Sequence, residues 1–182
     1  MIAIISLSTY SVLAVRNSYA SVSQDKIFEH KSSKYSRWTL CYNQTMKKVA
    51  KLVIIDSDDK YLLMHRSDHP TFGVDPDLPG GTLEDDETML ETMLREVKEE
   101  AGLDIDAKST KEIYSGADYS AHGTHYALFV TKLNKRPMIA MSWEHSSYEW
   151  LYRDEFISKS ISAKDTFMHM VADTLKQQVI SP

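Results

Sequence analysis

The sequence predicts one domain of the mixed α/β class, and three observations support this prediction. Short runs rich in Val, Ile, Leu and Tyr are bounded by turn-forming residues, which is typical of β-strands. Two longer segments carry apolar residues every three or four positions, as amphipathic helices do. A chain of 182 residues with 42% hydrophobic content can bury one sizeable core, and no internal repeat indicates a second domain. We expect residues 46–182 to form this domain, preceded by an N-terminal extension, residues 1–45.

Short segments along the chain are predicted as β-strands. Residues 48–55 and 61–65 are separated by Asp56-Ser57-Asp58-Asp59, a turn-forming run that predicts a hairpin. The other predicted strands are residues 112–119 and 124–133, joined around Ala121-His122-Gly123, and residues 148–152. This pattern indicates the α/β class without fixing a topology.

Two helices are predicted from their apolar stripes. The stripe of the central helix consists of Met89, Leu90, Met93, Leu94, Val97 and Ala101. Asp85 or Asp86 is expected to cap its start, and Gly102 is expected to end it in a left-handed conformation. The terminal helix is predicted over residues 163–179, with Phe167, Met170, Val171 and Leu175 at helical spacing.

The central helix carries three glutamates near its C-terminal end, Glu96, Glu99 and Glu100. There they face the negative pole of the helix dipole and repel one another by about 0.2–0.5 kcal/mol per pair. A rotation of 100° per residue places them beside the apolar stripe, at the rim of the core. One interpretation is a solvated acidic face with an ordinary Glu91–Arg95 pair. The other is a cation site, because clustered oxygen ligands without His or Cys suit Mg²⁺ or Mn²⁺.

The residues around this cluster resemble a known motif. Gly81 is followed after five residues by Glu87, and after seven more by Arg95-Glu96-Val97-Lys98-Glu99-Glu100-Ala101-Gly102-Leu103. This segment is similar, without any departure, to the Nudix box, Gly-x5-Glu-x7-Arg-Glu-apolar-x-Glu-Glu-x-Gly-apolar. Leu78-Pro79 before the box, and Ser142-Trp143-Glu144-His145 and Tyr148-Glu149-Trp150-Leu151 after it, also resemble Nudix hydrolases. The resemblance covers about residues 46–157.

The resemblance implies a fold and a reaction. The fold would be a Nudix-type α/β/α sandwich with a mixed β-sheet and the catalytic loop and helix on one face. The reaction would be that of a pyrophosphohydrolase, which uses water and divalent cations to cleave a diphosphate linkage. Its substrate would be a nucleoside triphosphate or a nucleoside diphosphate linked to another moiety. On the matching positions, the ligands of Mg²⁺ or Mn²⁺ would be Glu96, Glu99, Glu100 and the carbonyl of Gly81.

The resemblance also implies supporting roles. Glu87 and Arg95 would be the structural pair that holds the loop against the helix. Glu99 is a candidate general base, and Glu144, in the loop before a predicted strand, is a second candidate for base or metal ligand. His145 is a candidate for phosphate contact or proton transfer. The alternative for Glu144 and His145 is an ordinary exposed loop.

Candidate substrate contacts lie on the predicted strands. His65, Arg66 and His69 follow a core strand and are candidates for binding phosphate; the alternative is a polar strand end. Tyr119 is a candidate for stacking on a base, worth about 1–3 kcal/mol. Tyr is equally common at strand edges. No compact array of basic and aromatic residues predicts stable nucleic-acid binding.

Two other functions remain open at this stage. A Nudix-type module can sense nucleotides without turning them over, since some members of an enzyme fold only bind ligands. An isoprenoid diphosphate isomerase of Nudix type would need further Cys and Glu chemistry, and Cys41 lies outside the segment that resembles the family.

The composition limits which partners and which cellular location are expected for this chain. The formal charge of −5 would repel a polyanionic substrate unless bound metal ions reverse the local sign. The single Cys41 excludes an intramolecular disulfide, so a cytoplasmic location is expected, without membrane association. A homodimer is compatible with the family resemblance.

The first 45 residues are open to three interpretations. Residues 1–15 contain no charged side chain, and Ser18-Tyr19-Ala20 resembles a signal-peptidase site, but a positive n-region is missing and the segment is too short for a transmembrane helix. The segment would be an ordered extension, an export or anchoring segment, or an upstream extension of the reading frame. The third is preferred, because Met46-Lys47-Lys48-Val49-Ala50 is typical of a natural start before a first strand.

Overall fold

A mixed β-sheet lies between helices in the computed structural model, which describes residues 46–178 except residues 69, 72 and 121. The strands of the described residues are β1 Lys48–Ile55, β2 Tyr61–Arg66, β3 Pro76–Asp77, β4 Gly80–Thr82, β5 Thr110–Gly116, β6 His125–Lys132 and β7 His145–Leu151. Five of them follow the order β3-β2-β1-β6-β5, with β4 beside β1 and β7 beside β2. The expectations for residues 1–45, for His69 and for Val179 lie outside the described residues.

The parallel pair at the centre makes the sheet mixed. Strands β1 and β6 run parallel, from Lys48 opposite His125 to Ile55 opposite Lys132, and the other pairs are antiparallel. Ile55 pairs with Tyr61 where β1 turns into β2, as the predicted hairpin requires. The mixed α/β prediction is confirmed.

Helices cover both faces of the sheet because the central strand is apolar on both sides. The helices are α1 Met89–Ala101, α2 Arg153–Ser162 and α3 Thr166–Gln177, with a short 3₁₀ helix at Ala107–Ser109. Since successive side chains of a strand point to opposite faces, Leu52 and Ile54 pack with α1, whereas Val53 and Ile55 pack with α2 and α3. Each such side chain contributes about 1.5–3 kcal/mol on burial. None of the described helices combines the length and hydrophobicity needed to span a bilayer.

The start of α1 differs from the prediction, and its end agrees. Thr88, rather than Asp85 or Asp86, is the N-cap: its side chain accepts a hydrogen bond from the Glu91 N–H, and the Glu91 side chain accepts one from the Thr88 N–H. In this reciprocal capping box, the backbone N–H groups of Thr88 and Glu91 both find a side-chain acceptor. Gly102 ends the helix at φ 69°, in the predicted left-handed conformation.

The C-terminal helical region also differs from the prediction. Helix α2 was not predicted, because it buries only Phe156, Ile157 and Ser160 and has no continuous apolar stripe. The helix predicted from residue 163 begins at Thr166 instead. Asp165 caps it by accepting a hydrogen bond from the Phe167 N–H, while Ala163 is extended. A cap outside the apolar pattern therefore decides where α3 starts.

Replacing Thr88 by Ala should lower the free energy of unfolding by about 0.5–2 kcal/mol, because the capping hydrogen bond to Glu91 is lost. Urea denaturation followed by circular dichroism measures this difference. Thr88→Ser keeps the hydroxyl and serves as the matched control. Equal stability of the Ala variant and the wild type would show that Thr88 does not stabilise the helix.

Candidate active site

A cleft of about 830 Å³ lies where the start of β1, the segment after β3 and helix α1 meet the loop before β7. This volume lies within the range of small-molecule sites. Helix α1 contributes Glu96 and Glu100 to the lining, the loop before β7 contributes Trp143 and Glu144, and β7 contributes its first residue, His145. The lining therefore joins residues that are far apart in the sequence and that sequence reasoning had placed in one site.

Two glycines allow β4 to lie directly between β1 and α1. Gly80 has φ +133°, and a Cβ there would stand 2.3 Å from the carbonyl oxygen of Ala50, which no side chain permits. A Cβ on Gly81 would stand 2.4 Å from Oε1 of Glu96. The lack of side chains therefore brings the Glu96 carboxylate against the Gly81 backbone, so that two of the predicted metal ligands are neighbours.

Glu100 is held in the same wall by burial and by one hydrogen bond. The residue is 6% exposed, and its Oε2 accepts a hydrogen bond from the Gly80 N–H at 2.8 Å. Burial raises the pKa of the Glu100 carboxyl, and the opposing effects of the Lys51 charge and the Gly80 hydrogen bond are smaller. A buried carboxylate of this kind gains from any further positive charge nearby.

Glu99 is not among the residues that line the cleft. Its side chain is 61% exposed, and its Oε2 lies 3.6 Å from Nη1 of Arg95. In the part of the chain that the structure describes, no three His, Cys, Asp or Glu side chains are arranged so that they could hold a metal ion. The three glutamates therefore do not converge.

The chemistry of the donors nonetheless fits a hard divalent cation. The carboxylate residues Glu96 and Glu100 line the cleft together with Gly80 and Gly81 of β4, and Mg²⁺ and Mn²⁺ take oxygen ligands. Arg95 donates a hydrogen bond to Glu96 at 2.9 Å and compensates part of the negative charge. For all three glutamates to share an ion, Glu99 would have to turn away from Arg95.

Arg95 and Glu87 form a bidentate ion pair. The Nε and Nη2 groups of Arg95 donate to Oε1 and Oε2 of Glu87 at 2.8 and 3.1 Å, and the Thr92 hydroxyl donates to Oε2 at 2.8 Å. The hydrogen bonds from Arg95 and Thr92 lower the pKa of Glu87 to about 2. The pair joins the loop before α1 to the helix, which is the role that the family resemblance implies.

A buried ion-pair cluster that sequence reasoning missed also lines the cleft. Lys51 Nζ donates to Asp77 Oδ1 at 2.7 Å and to the Leu78 carbonyl at 2.8 Å, and Nη2 of Arg66 lies 2.9 Å from Asp77 Oδ2. Burial alone would raise the pKa of Asp77, but the charges of Lys51 and Arg66 hold it well below its usual range. The signal was Lys51 itself, because a lysine inside an apolar strand needs an anionic partner.

The loop before β7 and the first residue of that strand supply the two predicted residues on the other side of the cleft. Glu144 is exposed, and its carbonyl accepts a hydrogen bond from the Ser67 N–H at 2.7 Å. His145 is 5% exposed, with Nε2 3.7 Å from Asp77 Oδ2, which is too long for a hydrogen bond. Neither ring nitrogen has a hydrogen-bond partner among the described residues. A buried imidazole of this kind can be satisfied by a ligand.

Of the remaining predicted substrate contacts, one lines the cleft and two lie outside it. Arg66 lines the cleft. His65 and Tyr119 do not: Nε2 of His65 lies 2.7 Å from Glu149 Oε1, and the Tyr119 hydroxyl donates to Asp173 at 3.1 Å. Both side chains are thus engaged within the fold.

Comparison with known proteins identifies the domain that contains this cleft. Residues 46–170 match the NUDIX domain family. An ADP-ribose pyrophosphatase from Methanocaldococcus jannaschii is 43% identical over 70 residues, which is 38% of this chain and 41% of that protein. The alignment thus spans about two fifths of the length of this relative.

Solved structures share the fold. The NUDIX domain of Shewanella oneidensis NrtR, complexed with ADP ribose, is 17% identical, with a TM-score of 0.57 over 74% of this chain and 88% of that one. A bifunctional NMN adenylyltransferase/ADP ribose pyrophosphatase from Francisella tularensis, complexed with AMP and an Mn ion, is 21% identical, with a TM-score of 0.56 over 72% of this chain and 42% of that one. At these identities the likeness concerns the fold, and the predicted α/β/α arrangement is confirmed.

Stability at low pH should depend on Glu87. Its pKa falls from 4.5 to about 2 on folding, so its contribution is complete above about pH 4.5 and is lost as the pH falls towards 2. In Glu87→Gln the free energy of unfolding should therefore fall less steeply than in the wild type over this range. Urea denaturation at a series of pH values tests this, with the exposed Glu155→Gln as control. Parallel curves for Glu87→Gln and the wild type would contradict it.

Proposed function

The chain belongs to the Nudix family, and we propose that it is a metal-dependent pyrophosphohydrolase. Its substrate is a nucleoside triphosphate or a nucleoside diphosphate linked to another moiety, and the reaction cleaves the diphosphate linkage with water. The proposal is supported by the family match and by the matching ADP-ribose pyrophosphatase. The observation that carries it is the charge of the cleft.

The cleft has more acidic than basic side chains. Its basic residues are Lys47, Lys51 and Arg66, and its acidic residues are Asp68, Asp77, Glu84, Glu96, Glu100, Glu144 and Asp165. The charge of Asp77 is neutralised by its ion pairs. The carboxylates of α1 and of the loop before β7 nevertheless give the cleft a net negative charge. A diphosphate would be repelled from such a surface, so its binding calls for cations between the two.

The glutamates of α1 are the proposed ligands of those cations. Glu96 and Glu100 line the cleft, Glu99 directly precedes Glu100 but lies outside the lining, and the Gly81 carbonyl is the fourth proposed ligand. Held by these oxygens, Mg²⁺ or Mn²⁺ would supply positive charge for the phosphates and make hydroxide available near neutral pH. The Glu87–Arg95 pair then acts as support, because it fixes the loop that carries Gly81 relative to the helix.

Other side chains supply binding and proton transfer. Arg66, held by Asp77, directs a guanidinium towards the lining and is the proposed phosphate contact. His145 is placed to donate to, or accept from, a bound oxygen. Glu99 and Glu144 are the proposed proton acceptors, because both carboxylates are exposed and neither is locked in a buried pair.

ADP-ribose is the first compound to test within this class. The curated relative acts on it by name, and the cleft volume accommodates a molecule of that size. A panel that also contains nucleoside triphosphates, with the products identified by mass, would establish the substrate and the bond that breaks.

A nucleotide-sensing module without turnover is the second candidate. It is favoured by one observation, namely that the three glutamates of α1 do not converge in the described structure. The two candidates differ in outcome. Saturable binding of a nucleotide without product from any compound of the panel, in the presence of Mg²⁺ or Mn²⁺, would support the sensor and contradict the hydrolase.

For the hydrolase, Glu100→Gln and Glu99→Gln should each lower kcat/KM at least about 100-fold, since metal stabilisation of the transition state is worth several kcal/mol. Chelation of divalent ions should abolish the wild-type activity, and Mg²⁺ or Mn²⁺ should restore it. Steady-state kinetics on the best substrate of the panel measures both effects.

The control for this experiment is Glu155→Gln, an exposed residue of α2 outside the cleft. Circular dichroism of all three variants separates loss of activity from loss of folding. Unchanged kcat/KM in both folded α1 variants would show that the glutamates do not bind the catalytic ion.

A further inference from the structure

Trp143 presents a large aromatic side chain at the cleft without an evident structural purpose. Its side chain is 84% exposed, and the residue lines the cleft. A single exposed apolar residue needs no function by itself. Met138, which is 89% exposed, lies outside the lining. The position of Trp143, rather than its exposure, distinguishes it.

The backbone around Trp143 is held on both sides. Its carbonyl accepts a hydrogen bond from the Ser67 hydroxyl at 2.8 Å, and the next carbonyl, that of Glu144, accepts from the Ser67 N–H at 2.7 Å. The preceding residue, Ser142, donates its N–H to the Glu100 carbonyl at 3.0 Å. The indole is therefore carried by a fixed backbone, so a ligand that contacts it would need to order little more than the side chain.

Among the described residues, the indole of Trp143 has no aromatic or cationic partner. Two other aromatic residues near it in the sequence have one: Arg136 lies over the Trp150 ring, and Lys60 lies over the Tyr152 ring. The faces of the Trp143 ring are thus available to a planar group.

Charge decides which part of a nucleotide this surface suits. Trp143 precedes Glu144, and its carbonyl contacts Ser67, which precedes Asp68; both carboxylates line the cleft. A phosphate would need a cation to bind between these carboxylates, whereas a nucleobase is uncharged and presents a flat π-surface. We propose that Trp143 is a specificity residue that stacks on the nucleobase of the substrate. This inference rests on the proposed nucleotide specificity and assigns the base end of the ligand to the loop before β7.

The test compares two probes that differ by the base. AMP carries adenine, and ribose 5-phosphate is a phosphorylated sugar without it. Isothermal titration calorimetry with Mg²⁺ measures the Kd of each for the wild type, Trp143→Ala, Trp143→Phe and Met138→Ala. Because stacking on an aromatic side chain is worth about 1–3 kcal/mol, Trp143→Ala should weaken AMP binding about 5- to 100-fold. Binding of ribose 5-phosphate should not change. Trp143→Phe should retain most of the affinity for AMP, and Met138→Ala all of it.

Three outcomes would overturn the inference: AMP binding no tighter than ribose 5-phosphate in the wild type, equal loss for both probes in Trp143→Ala, and no loss for either. These outcomes do not depend on turnover. If the wild type cleaves no diphosphate but binds AMP through Trp143, the hydrolase proposal fails and the stacking inference stands. If the wild type cleaves ADP-ribose and Trp143→Ala leaves KM unchanged, the hydrolase proposal stands and the stacking inference fails.

Discussion

The cleft depends on the close packing of the Gly80-Gly81 backbone between β1 and α1, where there is no room for a side chain. At Gly80 and Gly81 any Cβ would collide with the Ala50 carbonyl or with the Glu96 carboxylate. Because this space is left free, the Gly80 N–H reaches Glu100, and the Glu96 carboxylate lies against Gly81. A one-carbon addition at Gly80 would therefore push β4 away from the β1 backbone, and one at Gly81 would force the Glu96 carboxylate to turn away, even though neither glycine carries a functional group.

Charge in the cleft is organised in two ways. Asp77 pairs with Lys51 and Arg66, and Arg66 also lies 3.6 Å from Asp165, so two cations face two carboxylates and this cluster fixes positions while adding little net field. The glutamates of α1 are instead only partly compensated, by Arg95, which also holds Glu87. An arginine shared in this way can support the loop and moderate repulsion within the wall at the same time. The surplus that remains is what makes a cationic partner for the cleft energetically favourable.

Sequence reasoning reached the parts of the molecule that local patterns specify. The apolar run of β1 and the Gly102 helix end are fixed by neighbouring residues, and both were predicted. The Thr88 cap was missed because Asp85 and Asp86 compete with it on composition alone, and α2 because so few of its residues face the core. In the site, the spacing of the Nudix box singled out Glu96 and Glu100. It did not show that Glu99 faces solvent beside Arg95, or that His65 contacts Glu149, which lies in a distant segment of the chain.

The loop before β7 has a further consequence through its backbone. Its N–H groups at Ala140 and Ser142 donate to the carbonyls of Ala101 and Glu100, at the end of α1, where a helix leaves carbonyls without internal partners. The loop on one side of the cleft thus donates hydrogen bonds to the end of helix α1 on the other side. Moving the loop away from α1 would leave those carbonyls without these partners, so the two hydrogen bonds oppose a change in the width of the cleft at this point. Side chains that line the cleft, rather than movement of this loop, are then expected to distinguish one ligand from another.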